Sequence, residues 1–164
     1  MSKLAEGDDT LVAMAGISVA QHRGTLRTLL GSCVGVALFE RKLKLVGLAH
    51  IVMPDSLGRD QPAGKYADTA IPETIRQMAR LSGGLHLSLS AKIAGGANMF
   101  AHVAPRNINA IGDQNVAAVE KVLASLRIPT LARHLGGTSG RRMVIDIESG
   151  VVQIHILGQS MVQL

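Results

Sequence analysis

Cys33, the sole cysteine of the 164-residue chain, follows Gly31 and Ser32 at the head of an apolar alternating run, and a second apolar run carries His50. Val34, Val36 and Leu38 repeat with period two until the charged stretch Glu40, Arg41, Lys42, after which 43–53 resumes as strand. Paired as a hairpin around that turn, the start of the first strand lies beside the end of the second, which makes Cys33 and His50 neighbours. That combination offers a thiol and a base. The thiolate is the nucleophile, and a thiol with an ordinary pKa of about 8.5 needs a proton acceptor to supply it at neutral pH. Cysteine is also among the most often buried residue types, so a Cys and a His are more commonly core and surface than a catalytic pair. Three features favour a site here: the freedom of Gly31, the hairpin register, and the hydroxyl of Thr28 on the segment leading in.

The wording of this region narrows the chemistry. L-G-S-C-V-G-V at 30–36 and G-L-A-H-I-V-M-P at 47–54 are followed by K-Y-A-D-T-A-I-P at 65–72 and A-K-I-A-G-G-A-N-M-F at 91–100. I-G-D-Q-N-V at 111–116 and L-G-G-T-S-G-R-R at 135–142 complete the series. In this order and with these spacings the chain resembles the CheD family, the chemoreceptor glutamine deamidases of bacterial and archaeal chemotaxis. The resemblance spans most of the chain and is weakest over the first twenty or so residues.

The resemblance implies a catalytic trio of cysteine, histidine and threonine, carried by the G-S-C and A-H motifs onto Cys33 and His50 and by T-L-L-G-S-C onto Thr28. Thr25 stands close enough that a slip in register would exchange the two threonines. The reaction implied needs no cofactor. His50 takes the proton of Cys33, the thiolate attacks the side-chain carbonyl of a receptor glutamine, ammonia leaves, and water hydrolyses the thioester to glutamate. Thr28 would orient the imidazole. Backbone N–H groups around Gly31, Ser32 and Cys33 would hold the oxyanion. Gly95, Gly96 and Asn98, following a later strand, are further candidates to frame the pocket, in a loop with neither the Walker lysine pattern nor the dinucleotide fingerprint. Lys65, Tyr66 and Asp68 read equally as substrate or partner contacts or, for Asp68, as a helix cap.

These groups need a scaffold, and periodicity supplies its outline. Strands are predicted at 11–20, 25–29, 33–39 and 44–53, then a loop with Pro54, Gly58, Pro62 and Gly64. A helix runs from Asp68 or Thr69 to about Leu81 on Ile71, Ile75, Met78 and Leu81, ended by Gly83-Gly84. A strand follows at 85–93, and a second helix from near Asp113 to about Leu126 buries Val116, Val119, Leu123 and Leu126. Strands at 130–135, 142–147 and 151–157 close the chain, the last two joined at Glu148-Ser149-Gly150. Such an order predicts an α+β fold: a single layered α/β sandwich domain over 1–164, with a mixed or mainly antiparallel sheet, two main helices and a loose N-terminus at 1–10.

Composition excludes several other classes. With 47% apolar residues and no Pro- or Ser-rich linker, the chain reads as one compact domain. Its longest early apolar run, 11–20, is too short for a membrane span and follows Glu6, Asp8 and Asp9, so a cytoplasmic protein without membrane insertion is expected. One cysteine forms no intramolecular disulfide, in keeping with a reducing compartment. The net charge of +5 raises nucleic acid as a partner, but Arg41, Lys42, Lys44 and Arg141-Arg142 form small clusters that read as solvated turns. Two Phe, one Tyr and no Trp leave no stacking platform. The histidines show no ligand-type spacing, and no metal site is expected. Under the resemblance the positive charge suits approach to the acidic helices of a methyl-accepting chemoreceptor's cytoplasmic domain, and a CheC-type phosphatase is a further implied partner. The competing functional class is a weakly catalytic or non-catalytic regulatory partner of that phosphatase. Hydrolysis of receptor methyl esters by the same thiolate, or of an unrelated substrate on the same scaffold, also fits a Cys-His pair.

Overall fold

The computed structural model describes residues 8–103 and 110–164. Along the described chain run β1 (Asp9–Leu11), β2 (Ile17–Gln21), β3 (Thr25–Leu30), β4 (Val34–Glu40), β5 (Leu45–Ile51), α1 (Ala67–Leu81), β6 (Ser90–Gly95) and α2 (Ile111–Ser125). They are followed by β7 (Thr130–Leu135), β8 (Arg141–Asp146), β9 (Val152–His155) and β10 (Val162–Gln163). One five-stranded sheet has the order β1-β3-β8-β9-β10 and the other β2-β5-β4-β6-β7. β1 with β3 and β6 with β7 are parallel; the remaining neighbours are antiparallel. The result is the expected α+β sandwich with two mixed sheets.

The β4–β5 hairpin sits inside its sheet and is buried on both faces, so its alternation separates two different apolar layers instead of core from solvent. Val34, Val36, Leu38, Leu45, Ala49 and Ile51 point toward Ile71 and Met78 of α1 and Val119 and Leu123 of α2. Cys33, Ala37, Phe39, Val46 and Leu48 point the other way, into a layer shared with Leu26 and Leu30 of β3 and Met143, Ile145 and Ile154 of β8 and β9. Roughly 25 cal/mol per Å² of apolar surface removed from water drives both layers together.

Several expectations are corrected. The run 11–20 is two strands in different sheets, because Ala13–Gly16 make a turn with Ala15 at φ 61° and the Gly16 N–H donating to the Ala13 carbonyl at 2.8 Å. Asp9 and Thr10, assigned to a loose terminus, pair with Thr25 and Leu26; residues 1–7 lie outside the described residues. The 85–89 stretch is not strand: β4 ends at Glu40, whose carboxylate accepts the Ser88 N–H at 2.6 Å in place of a ladder partner. Leu81 and Leu126 are exposed, since one is the last residue of its helix and the other lies past the end of α2, where Ile128 takes the buried position. Arg141 is no solvated turn residue but is buried, its guanidinium donating to the carbonyls of His134, Gly136 and Ser139.

Candidate active site

The hairpin register is what brings the chemistry together. Gly35 stands directly opposite His50, and Val34 opposite Ile51, so Cys33, two residues before Gly35, occupies the diagonal position from His50 on the same face of the ribbon. Both are buried, at 8% and 3% exposure. Between them Gly35 leaves the face bare: a Cβ there would lie 2.8 Å from the Met143 sulfur and 3.0 Å from Leu30 Cδ1 of the opposing sheet.

Thr28 reaches the same point from the other sheet. β3 pairs with β8, Thr28 opposite Met143, and Leu26, Thr28 and Leu30 face the layer between the sheets. Thr28 Oγ1 lies 2.6 Å from His50 Nδ1 and 2.6 Å from the Val12 carbonyl. A hydroxyl has one proton, which the Val12 carbonyl must receive; Thr28 Oγ1 therefore accepts, and the His50 proton sits on Nδ1. Nε2 is left with the lone pair. It is buried and has no hydrogen-bond partner among the described residues. An unpartnered buried nitrogen costs about 1–3 kcal/mol, so this one calls for an explanation. Thr25, the competing threonine, instead donates to Asp9 at the exposed edge, 2.8 Å away.

Val12 serves because it lies just past β1, where the chain leaves one sheet for the other and its carbonyl is free of the ladder. The same crossover fixes the His50 backbone, with the Ala15 N–H donating to the His50 carbonyl and the His50 N–H to the Gly16 carbonyl, each at 3.0 Å. Burial pushes the Cys33 thiol above its ordinary range, opposed by its own backbone N–H. Burial also pulls the His50 imidazole below its ordinary range, opposed by the Val12 carbonyl. The resting pair is therefore a neutral thiol and a neutral imidazole, not a thiolate and an imidazolium.

The remaining candidates form the frame. The Gly96 N–H donates to the Cys33 carbonyl at 2.8 Å, the Ala97 N–H to the Gly31 carbonyl at 2.9 Å, and the Asn98 N–H to the Gly137 carbonyl at 2.9 Å. Gly95, opposite Val34, ends β6 beside them. These N–H groups are thus engaged within the protein and buttress the loop that carries Cys33. Gly31 needs no special conformation, and a Cβ on it would make only ordinary contact with Met99 at 3.6 Å. It lines an open groove of about 700 Å³ with Leu29, Met99, Arg142 and Leu157. Asp68 does not cap α1; it accepts from the N–H and hydroxyl of Ser56 at 2.9 and 2.6 Å. Tyr66 is buried. No cluster of three or more metal-ligating side chains occurs among the described residues.

Sequence reasoning missed Asn115. This residue is fully buried on α2, and its Nδ2 donates to the carbonyls of Ser32 and Val52, both at 3.0 Å. A signal was present: Asn115, Val119 and Leu123 recur every four residues, which puts an amide at the head of the buried stripe, where it must find partners.

Comparison with known proteins settles the family. Residues 52–156 match the model of the family described as CheD, chemotactic sensory transduction. Over 162 residues, 97% of this chain and 99% of the relative, it is 40% identical to a probable chemoreceptor glutamine deamidase CheD of Clostridium botulinum. The chain belongs to the CheD family. A CheD of Desulforamulus reducens, also described as a probable chemoreceptor glutamine deamidase, is 43% identical over 95% of this chain and 96% of its own. The chemoreceptor glutamine deamidase CheD of Halalkalibacterium halodurans is 41% identical over 93% and 96%. The family-model match begins just after His50, whereas these CheD relatives align over nearly the whole chain. No helix among the described residues is long and apolar enough to cross a membrane.

Proposed function

We propose that this chain is a chemoreceptor glutamine deamidase that works as a single CheD domain through a Cys33 thioester. The observation that carries the reading is the hydrogen bond from His50 Nδ1 to Thr28, which leaves a buried, unpartnered Nε2 on the face of the ribbon that also holds Cys33. Nε2 takes the thiol proton as sulfur attacks the side-chain carbonyl of a receptor glutamine, forming the C–S bond. The oxyanion collapses, the C–N bond breaks, and the Nε2 proton leaves with ammonia. Nε2 next takes a proton from water, whose oxygen attacks the thioester, and the departing sulfur recovers that proton. Because both groups rest uncharged, the proton moves during attack, and Thr28 holds the ring so that Nε2 is the atom receiving it.

The three relatives' descriptions and the family membership support a receptor as substrate, reached in the cytoplasm, and the groove beside Gly31 supports approach of an extended protein surface. A CheC-type phosphatase is a second partner under this reading. Incubation with receptor cytoplasmic fragments tests it: wild type converts Gln to Glu with a mass gain of about 1 Da, and Cys33→Ala and His50→Ala do not. Conversion by Cys33→Ala at the wild-type rate overturns the reading.

A further inference from the structure

Three successive carbonyls of the nucleophile's loop are each held by a separate donor. The Ala97 N–H takes that of Gly31, Asn115 Nδ2 that of Ser32, and the Gly96 N–H that of Cys33. In a trans peptide the C=O and the N–H point to opposite sides, so whatever grips the Ser32 carbonyl also sets the direction of the Cys33 N–H. That N–H donates to no backbone carbonyl among the described residues and lies by the Cys33 sulfur itself. The grip on Ser32 is the one made by a side chain, and the same NH2 also holds the Val52 carbonyl, across from the nucleophile at the end of β5. With two carbonyl oxygens around it, the amide's nitrogen is the atom facing them. Asn115 Oδ1, on the far side, is buried without a partner, so this side chain is placed for its two donors alone. Gly112, one turn earlier, permits the approach: a Cβ there would lie 2.5 Å from the Ala97 carbonyl oxygen.

We propose that Asn115 is a positioning residue for the deamidation, locking the Ser32–Cys33 peptide so that the Cys33 N–H faces the oxyanion that forms on the substrate carbonyl. The inference rests on the deamidase reading and deepens it. Asn115 touches neither substrate nor sulfur; its effect passes through the peptide plane. It stabilises charge only after sulfur attacks a carbonyl, whereas alkylation of the thiol by iodoacetamide builds no oxyanion and needs only Cys33 and His50.

The two rates separate the roles. In Asn115→Ala, kcat on a receptor cytoplasmic fragment falls about 100-fold or more, as expected for loss of one oxyanion donor, with KM within about 3-fold. The Cys33 alkylation rate stays within about 3-fold of wild type. Asn115→Leu, which fills a similar volume without donors, gives the same split and serves if the alanine variant fails to fold. Two results overturn the proposal: a kcat within about 10-fold of wild type in a folded variant, or a parallel fall of both rates, which would make Asn115 a brace for the whole site. A wild type that alkylates normally but never deamidates removes the deamidase reading and this inference with it.

Discussion

The two faces of the β4–β5 hairpin have the same strands, the same pairing and similar burial, yet only one carries the candidate catalytic groups. The face toward the helices is apolar at Val34, Val36, Leu38, Leu45, Ala49 and Ile51, with the buried Glu40 at its turn end. Toward the other sheet it is apolar in the middle, at Ala37, Phe39, Val46 and Leu48, and at one end gives way to Cys33, Gly35 and His50 with Thr28 across from them. The location of the polar end follows from hydrogen-bond supply. Helices satisfy their own backbones and have little to offer a buried imidazole, whereas the crossover at Val12–Gly16 supplies a carbonyl that no ladder uses. A buried polar group is tolerated where such a partner exists, and on this face His50 Nε2 is left without one among the described residues.

Substitutions on the chemical face that leave the apolar face alone separate the two most sharply. Cys33→Ala removes the proposed nucleophile and should lower kcat by about 10⁴-fold or more, measured by intact mass of a receptor fragment, with the unfolding midpoint almost unchanged. His50→Gln, which keeps a polar side chain but no base, should cost about 10²- to 10⁴-fold. Thr28→Val keeps the shape and deletes the hydroxyl that holds Nδ1 and the Val12 carbonyl. A loss of about 1–3 kcal/mol, some 5- to 160-fold in kcat, is expected, and a wild-type rate would remove Thr28 from the mechanism. On the helix-facing side, Leu38→Ala should lower stability by about 2–5 kcal/mol in denaturant titration while kcat per folded molecule stays within about 3-fold.

The pH dependence is the subtlest separation. The imidazole of His50 is held below its ordinary pKa by burial, so it stays a neutral base on the acid side of that value, and the acid limb of kcat should lie lower than for a free histidine. Stability has the matching sign. As pH falls below the ordinary imidazole pKa the unfolded chain takes up a proton that the folded chain refuses, so the fold weakens until the depressed native value is passed, and stability rises again with pH across that window. Urea titrations should show a shallower slope in His50→Gln than in wild type, the remainder coming from His134, whose imidazole is also held low, chiefly by burial.

How much of this is legible in the sequence depends on what sets each feature. The hairpin and its register follow from strict alternation on either side of the charged Glu40-Arg41-Lys42 turn, and with them the closeness of Cys33 and His50. Thr28 over Thr25 follows once the register of β3 is known, because only Thr28 faces the layer between the sheets. The split of 11–20 is hidden because Ala13, Met14 and Ala15 are apolar and turn without a Pro or Asn signal. Asn115 escapes because apolar periodicity marks a buried stripe, whereas this stripe begins with an amide whose partners come from loops 83 and 63 residues away in sequence. Arg141 escapes likewise, since carbonyls presented by a folded loop cannot be seen in a charge count.

The central claim is that Cys33 becomes covalently acylated by the substrate glutamine, and adding hydroxylamine to the deamidation reaction tests it most directly. A thioester partitions between water and the added nucleophile, so wild type should yield the hydroxamate, about 16 Da heavier than glutamine, together with the product about 1 Da heavier, and Cys33→Ala neither. Glutamate alone at saturating hydroxylamine, or hydroxamate from Cys33→Ala, would contradict a thioester on that sulfur.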